Sequence, residues 1–402
     1  MLITLSDIER QFIQIHLQDD VRALLLRAHP AGISIKKLAK QIMARQKARE
    51  KIPAWYANND LIFPPALSVE QASSEQTALH KASIVSGKLL LDLTGGMGVD
   101  TWAFAQQVER VIYVEQQSEL AQLAAYNLPQ LGQTNVTVQT GNGLSVALLE
   151  QADLPTADWL YLDPHRRDER GGRVVHLADC VPDVTQTGLL SALLSRANQI
   201  LIKGSPLLDI DLAVQQLGNQ VEAIHVVAVQ GEVKELLFTV VNRVVNKENL
   251  LVNSVNLTRQ GAIHFRFHWQ EEQLATIHFG DPQRYIYEPN AAVLKAGAFR
   301  LVASRLGLTK LAPHSHLYTS DVIKPEFPGR IFALNDLMKP DGKLLKQAIP
   351  DLKANLTVRN FPQTVAELRK KLALREGGDV YILATTLLNG DKRLLITQKI
   401  DV

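Results

Sequence analysis

The strongest constraint on this chain is a series of short apolar runs, most of them separated by helix-length segments. They are Lys88–Leu93, Val111–Glu115, Val136–Gln139, Trp159–Asp163, Gln199–Lys203, Ala223–Val229 and Leu236–Val241. Strands covered on both faces read as continuous apolar runs, and alternation with helices favours a mainly parallel α/β sheet. A seven-stranded sheet is predicted. Ligands of such sheets bind beyond the carboxyl ends of the strands, so the polar residues that end these runs are where function is sought.

The flanks read differently. Residues 1–80 are predicted to be mainly helical, with Ile8, Phe12 and Ile15, then Leu24 and Leu25, at helical spacings. Lys36, Lys37, Lys40, Arg45, Lys47, Arg49 and Lys51 give the next stretch a basic face. A solvated helix face is the plainer reading, and contact with RNA phosphates the sharper one. Breaks follow at Pro53 and Pro64-Pro65, and Ser73 with Gln76 fits a capping box that starts a helix. After about residue 245, alternation in Ile263–Trp269 predicts a strand, and mixed signals to the C-terminus predict small α+β modules.

The totals bound the function. A chain of 402 residues is long enough for two to four domains. Its net charge of +2 excludes a strongly basic field over the whole protein, so any nucleic-acid affinity is local. Cys180 is the one cysteine, which rules out an internal disulfide or a cysteine-based zinc cluster and fits a reducing cytosol. Neither a signal peptide nor a membrane span is predicted, and the expected location is cytoplasmic. The eleven histidines show no metal-ligand spacing, and His314 with His316 reads as loop chemistry. No metal site is expected. Oligomeric state is not legible.

Asp92-Leu93-Thr94-Gly95-Gly96-Met97-Gly98 stands where the first strand hands over to a helix. Glycines there let backbone approach a ligand, and the helix start offers unpaired N–H groups. Glu115 ends the next strand, roughly twenty residues on, the spacing at which an acid meets ribose hydroxyls. Asn142, between Gly141 and Gly143 after the third strand, reads equally as a contact to an adenine edge or as turn chemistry. In the dinucleotide alternative, Thr101 stands where the third glycine belongs. The opening acid instead resembles motif I of class I S-adenosylmethionine-dependent methyltransferases, with Thr94 departing at its first glycine.

Asp163-Pro164-His165-Arg166-Arg167-Asp168 ends the fourth strand. It resembles the Asp/Asn-Pro-Pro-aromatic motif of amino-group methyltransferases, with His165 and Arg166 replacing its last two members. Asp163 could accept from a target amine, and the Arg166 guanidinium could stack on a base. Arg166, Arg167 and Arg170 could neutralise phosphates. The segment is similar also to the Asp-Pro-Pro-Arg motif of uracil-C5 methyltransferases. Cys180 lacks the context of their nucleophile and reads as a small buried apolar residue. Lys203-Gly204-Ser205-Pro206 ends the next strand in the same cleft, with Lys203 a candidate solvated strand end.

The resemblance extends along the chain through Ile52–Tyr56, Phe63-Pro64-Pro65, Glu70–Ala78, Tyr161–Pro164, Tyr285–Asn290, Ser315–Ser320 and Glu376–Tyr381. Together these resemble bacterial class I methyltransferases that carry a ferredoxin-like segment and a C-terminal THUMP-like domain. The resemblance implies an α/β, Rossmann-like core at 81–250 after the helical region 1–80. A connecting β segment at 251–282, a ferredoxin-like segment at 283–325 and a THUMP-like domain at 326–402 follow. It implies S-adenosyl-L-methionine as cofactor, held by Gln71, Thr77, Asp92, Thr94, Gly95, Gly96, Gly98, Glu115, Asn142 and Asp163, with Ser74 a further approach. It implies Asp163, Pro164 and Arg166 at the chemical step. THUMP domains are associated with RNA, and Lys353, Arg359, Arg369, Lys370, Lys371 and Arg375 make that region locally basic. The expected function is methylation of a base amine in tRNA or rRNA. A small-molecule methyltransferase, a non-catalytic RNA-binding protein and a nucleotide-dependent oxidoreductase are the alternatives.

Overall fold

A computed structural model of the chain describes residues 4–27, 34–148, 156–166 and 176–401. No helix among them is long and apolar enough to cross a membrane. The chain divides into two units, Met1–Ile224 with Glu235–Val245, and His225–Lys234 with Asn246–Val402.

The first unit opens on helices α1 (Asp7–Ile15), α2 (Val21–Leu26), α3 (Ile35–Lys51), α4 (Pro53–Ala57), α5 (Ala66–Gln71) and α6 (Glu75–Ala82). Leu24, Leu38, Ile42 and Ile62 are buried in one apolar cluster there. Much of the basic run on α3 holds these helices together. Arg45 is buried, donates to the carbonyls of Asn58, Asn59 and Leu61, and lies over the Phe63 ring. Lys37 pairs with Glu9, and Lys47 with Glu70. Lys36 and Lys40 are exposed.

Strands and helices then alternate. The series is β1 (Gly87–Asp92), α7 (Val99–Phe104), β2 (Val108–Glu115), α8 (Ser118–Gln130), β3 (Val136–Thr140), α9 (Gly143–Leu148) and β4 (Ala157–Leu162). A two-stranded ribbon, β5 (His165–Arg166) with β6 (Cys180–Val181), precedes α10 (Leu189–Leu194), β7 (Ala197–Gly204), α11 (Ile210–Gln216), β8 (Val221–Val229) and β9 (Glu232–Val241). Strands β10 (Leu251–Thr258) and β11 (Gly261–His268) form an antiparallel pair.

The sheet has nine strands rather than the predicted seven, in the order β11-β10-β8-β9-β7-β4-β1-β2-β3. The two additional strands are β10 and β11, which fall in the second unit. Strands β3, β2, β1, β4 and β7 run parallel, and β9 is antiparallel to β7. The chain leaves β1 toward β2 and β3, then returns to β4 on the other side of β1. In sheets of this kind ligands bind at such a reversal, here the carboxyl ends of β1 and β4.

The second unit continues with α12 (Trp269–Leu274), β12 (Tyr285–Pro289), α13 (Ala291–Lys295), α14 (Leu301–Leu306), β13 (Thr309–Lys310), β14 (Tyr318–Ser320), β15 (Gly329–Met338), α15 (Gly342–Ala348), β16 (Asn355–Arg359), α16 (Val365–Lys371), β17 (Val380–Thr386) and β18 (Lys392–Ile400). Its sheet runs β13-β14-β12-β15-β18-β17-β16, with β16 parallel to β17. Leu345 of α15, Leu368 of α16 and Leu372, the C-cap of α16, pack with Leu356, Ile382 and Leu394 in one core cluster. His316 stacks on Phe299, with ring centroids 4.0 Å apart.

Candidate active site

The turn after β1 is built around a buried acid. Asp92 is fully buried, and its carboxylate accepts from the Thr94 N–H at 3.1 Å and from the Thr101 hydroxyl. Burial pushes its carboxyl up to about 7, against those two bonds and with help from Asp100 and Asp163. Gly95 is required by packing, since a Cβ there would lie 2.0 Å from the Tyr113 ring. Gly96 is required by conformation. Its φ is +54°, yet a Cβ would meet nothing nearer than the Thr94 carbonyl at 3.9 Å. Gly98, at φ +91°, is the N-cap of α7.

Neighbouring loops are tied to this turn. The Glu115 carboxylate accepts from the Gly96 N–H at 2.9 Å and the Gln117 N–H at 2.8 Å. The Tyr113 hydroxyl donates to the Gly96 carbonyl at 2.6 Å. Gly141 donates to the Glu115 carbonyl at 3.0 Å, and a Cβ on Gly143 would strike the Leu93 carbonyl at 2.1 Å. The Asn142 side chain accepts from the Ser145 N–H at 3.1 Å, so it supports the start of α9. Gln71 is exposed at the end of α5, whereas Thr77 is buried in α6 and donates to the Ser74 carbonyl. The turn can hold an adenosyl group. Gly96 leaves an open cradle that a side chain would fill, and each Glu115 oxygen, bonded to one N–H, keeps a lone pair for a ribose hydroxyl.

Thr94 stands where a glycine was expected, and the structure gives it a task. Its hydroxyl accepts from the Asp163 N–H at 2.7 Å, joining the turn after β1 to the end of β4. The Asp163 carboxylate accepts from the Lys203 ammonium at 2.6 Å, with the two side chains 34% and 18% exposed. Lys203 is therefore not a solvated strand end. Burial opposes its charge, but Asp163, Glu235 and Asp100 outweigh burial and hold the ammonium above its ordinary range. Pro164 follows, and Arg166 pairs through its backbone with Cys180, which is buried. Arg167, Asp168 and Arg170 lie outside the described residues, as does the Arg166 side chain.

Beneath Asp163 lies a charged group that sequence reasoning missed. Lys81 on α6 has no exposed surface. Its ammonium donates to both Glu235 oxygens at 3.0 Å and to the Ser73 hydroxyl at 3.1 Å, and lies 3.2 Å from Asp100. The Tyr161 and Ser73 hydroxyls donate to the other Asp100 oxygen at 2.8 and 2.9 Å. Burial pushes Glu235 up despite Lys81 and Lys203. Asp100 is held below its ordinary range because Lys81, Lys203 and the two hydroxyls outweigh its burial. Ser73 is thus not the helix cap. Ser74 caps α6 by accepting from the Thr77 N–H, and Ser73 joins the charged group. One signal was available: period-2 alternation puts Tyr161 and Asp163 on one sheet face, whereas the pairing of β4 with β7, the strand that carries Lys203, is seen only in the structure.

In the second unit, Arg330 and Arg359 pair with the buried Glu288, and Arg369 pairs with Glu376. Lys353, Lys370, Lys371 and Arg375 are exposed, as are Lys339, Lys343 and Lys346 on and before α15.

Residues 285–328 match a ferredoxin-like domain and residues 329–399 a THUMP-like domain. A crystal structure of a candidate methyltransferase from Porphyromonas gingivalis W83 is similar over 100% of both chains, at 34% identity and a TM-score of 0.87. An uncharacterised S-adenosylmethionine-dependent methyltransferase of Mycobacterium tuberculosis is 24% identical over 334 residues, 80% of this chain and 83% of its own. A protein-L-isoaspartate O-methyltransferase of Koribacter versatilis is 32% identical over 100 residues, 25% of this chain and 45% of its own.

Proposed function

Because the chain belongs to the S-adenosylmethionine-dependent methyltransferases that carry a ferredoxin-like segment and a THUMP-like domain, we propose that it methylates RNA. The observation that carries this reading is the THUMP-like module, whose helices α15 and α16 bear exposed Lys343, Lys346, Lys370 and Lys371. Cations on one module attract a phosphate backbone without requiring a basic whole protein. Lys353 and Arg375, joined by a backbone bridge, add to the same charge.

S-adenosyl-L-methionine supplies a methyl group on a sulfonium. The chain's own residues then have to hold, align and exclude. Thr94, Gly95, Gly96 and Gly98 offer backbone to the cofactor, and Asp92 fixes their turn from below. Glu115 is suited to a ribose diol. Asn142, Gln71 and Thr77 remain proposed neighbours of the cofactor. Asp163 and Pro164 are proposed to meet the target, with Arg166 beside them. Alignment of nucleophile, carbon and leaving group accounts for much of such a rate. Asp163 is well placed for alignment, since Thr94 fixes its backbone and Lys203 its carboxylate. It can accept from an N–H, as in the base-amine reading, or from an O–H.

The test is methyl transfer from labelled cofactor to total RNA of a strain that lacks the gene. Label in an RNA fraction is expected. No label in any RNA, with cofactor binding confirmed by calorimetry, overturns the reading, and label in a small-molecule extract instead redirects it.

A further inference from the structure

Resting on the RNA reading above, we propose that the methylated atom is a hydroxyl oxygen, the ribose 2′-hydroxyl, with Lys203 stabilising the developing oxyanion and Asp163 receiving its proton. The argument begins with the sign of the charge. An amine nitrogen turns cationic as it takes a methyl group. An ammonium beside the nitrogen opposes that change, and the paired Asp163 carboxylate offsets part of the opposition. A hydroxyl oxygen moves the other way: it loses a proton and gains negative charge, which the same ammonium favours.

Donor geometry agrees. An ammonium has three N–H bonds. Among the described residues, Asp163 is the hydrogen-bond partner of Lys203, leaving two donors on a side chain that is 18% exposed. The second cation does not compete for this role. Lys81 has no exposed surface and is committed to Glu235, Asp100 and Ser73. On the acceptor side, one Asp163 oxygen takes the lysine, and among the described residues the other takes no hydrogen bond and is left for the hydroxyl proton. The charged groups acting on Lys203 are Asp163, just after β4, Glu235 on β9 and Asp100 on α7, and Lys81 on α6 shares Glu235 and Asp100 with it. The carboxylates keep Lys203 charged, so it serves as a fixed cation and not as the base.

The step balances. The O–H bond breaks and its proton passes to the Asp163 carboxylate, then to solvent. The O–CH3 bond forms as the S–CH3 bond of the donor breaks, and that electron pair stays on sulfur. Along an RNA chain the recurring hydroxyl is the ribose 2′-hydroxyl, whereas the amines are on the bases.

The experiment incubates the full-length enzyme with methyl-labelled cofactor and RNA from a strain lacking the gene. The RNA is then hydrolysed in alkali and digested to nucleosides for mass spectrometry. A 2′-O-methyl group blocks alkaline cleavage of its own phosphodiester, so label is expected in alkali-stable dinucleotides and in ribose-methylated nucleosides. Label in a base-methylated nucleoside overturns this proposal and leaves the RNA reading standing. No label in RNA overturns both. Lys203→Met is expected to lower the rate by about a hundredfold to a thousandfold, the usual cost of losing one donor to a developing oxyanion. Its cofactor affinity by calorimetry should stay within about twofold, because the lysine faces the target. Lys203→Arg should recover at least about tenfold of that loss, and raising the pH should narrow the deficit of Lys203→Met, since hydroxide then assists deprotonation. Retention of more than about a tenth of the rate by Lys203→Met, or a deficit that does not change with pH, refutes the oxyanion role.

Discussion

Replacing Lys81 by methionine should destabilise the first unit more than any surface change could. The side chain has no exposed surface, and methionine nearly matches its length, so the loss is of charge and hydrogen bonds. Lys81 bonds Glu235 twice at 3.0 Å and Ser73 at 3.1 Å, and lies 3.2 Å from Asp100. Its removal leaves two buried carboxylates without their nearest cation, and breaking a buried pair in this way costs about 3–5 kcal/mol. For a unit of this size that is a fall of roughly 6–20 °C in melting temperature. The pH dependence has a definite sign. With the cation gone, burial raises both carboxyls above their unfolded values, so folding is favoured at low pH and loses stability as pH rises. The deficit of Lys81→Met should therefore shrink on acidification. Adding Glu235→Gln should restore part of the loss, because one of the two stranded charges is removed. Urea titration followed by tryptophan fluorescence suits the measurement, since Trp55, Trp102 and Trp159 all lie in the first unit. A loss below about 1 kcal/mol, or a double variant no more stable than the single one, would refute the claim that this lysine holds buried charge together.

The glycine turn separates packing from binding. Gly95→Ala drives a Cβ into the Tyr113 ring, so the melting temperature should fall by several degrees. Gly96→Ala meets open space at φ +54°, so it should cost only about 1 kcal/mol while lowering cofactor affinity at least tenfold by calorimetry. Asp92 sits near 7 against roughly 3.9 unfolded, so its contribution is present at acidic pH and lost as pH rises from about 4 to about 7. Asp92→Asn should flatten the stability profile in that window, and an unchanged slope counts against the buried acid. Thr94→Val strands the Asp163 N–H at a cost of about 1–3 kcal/mol, and should lower turnover at constant cofactor affinity. Changing Lys370 and Lys371 together to alanine should weaken RNA binding and reduce the log–log salt slope by about 2, as read by filter binding.

What could be read in the sequence, and what could not, follows from which energies are local. Strands β1, β2, β3, β4, β7, β8 and β9 were visible as apolar runs because a two-sided sheet demands apolar residues on both faces. The polar ends of those strands were visible for the same reason: Asp92, Glu115, Asp163 and Lys203 interrupt a pattern. Strand β10 was hidden because it buries Asn253, Ser254 and Asn256, which break that pattern. The charged group was hidden for a deeper reason. Whether a lysine or glutamate is buried is a property of a pair, and Lys81 and Glu235 are 154 residues apart. Taken singly, each has a burial cost that argues for solvent, so a residue-by-residue reading sends Lys203 and Arg45 to the surface, though the fold buries Arg45 almost entirely and Lys203 for the most part. Ser73 and Ser74 make the point at its smallest scale. Both have the same capping propensity, and what decides between them is a lysine eight residues on and an aspartate 27 residues on. The residues hardest to find from sequence here are those whose charges need one another, and in this protein they surround the aspartate on which the proposed chemistry depends.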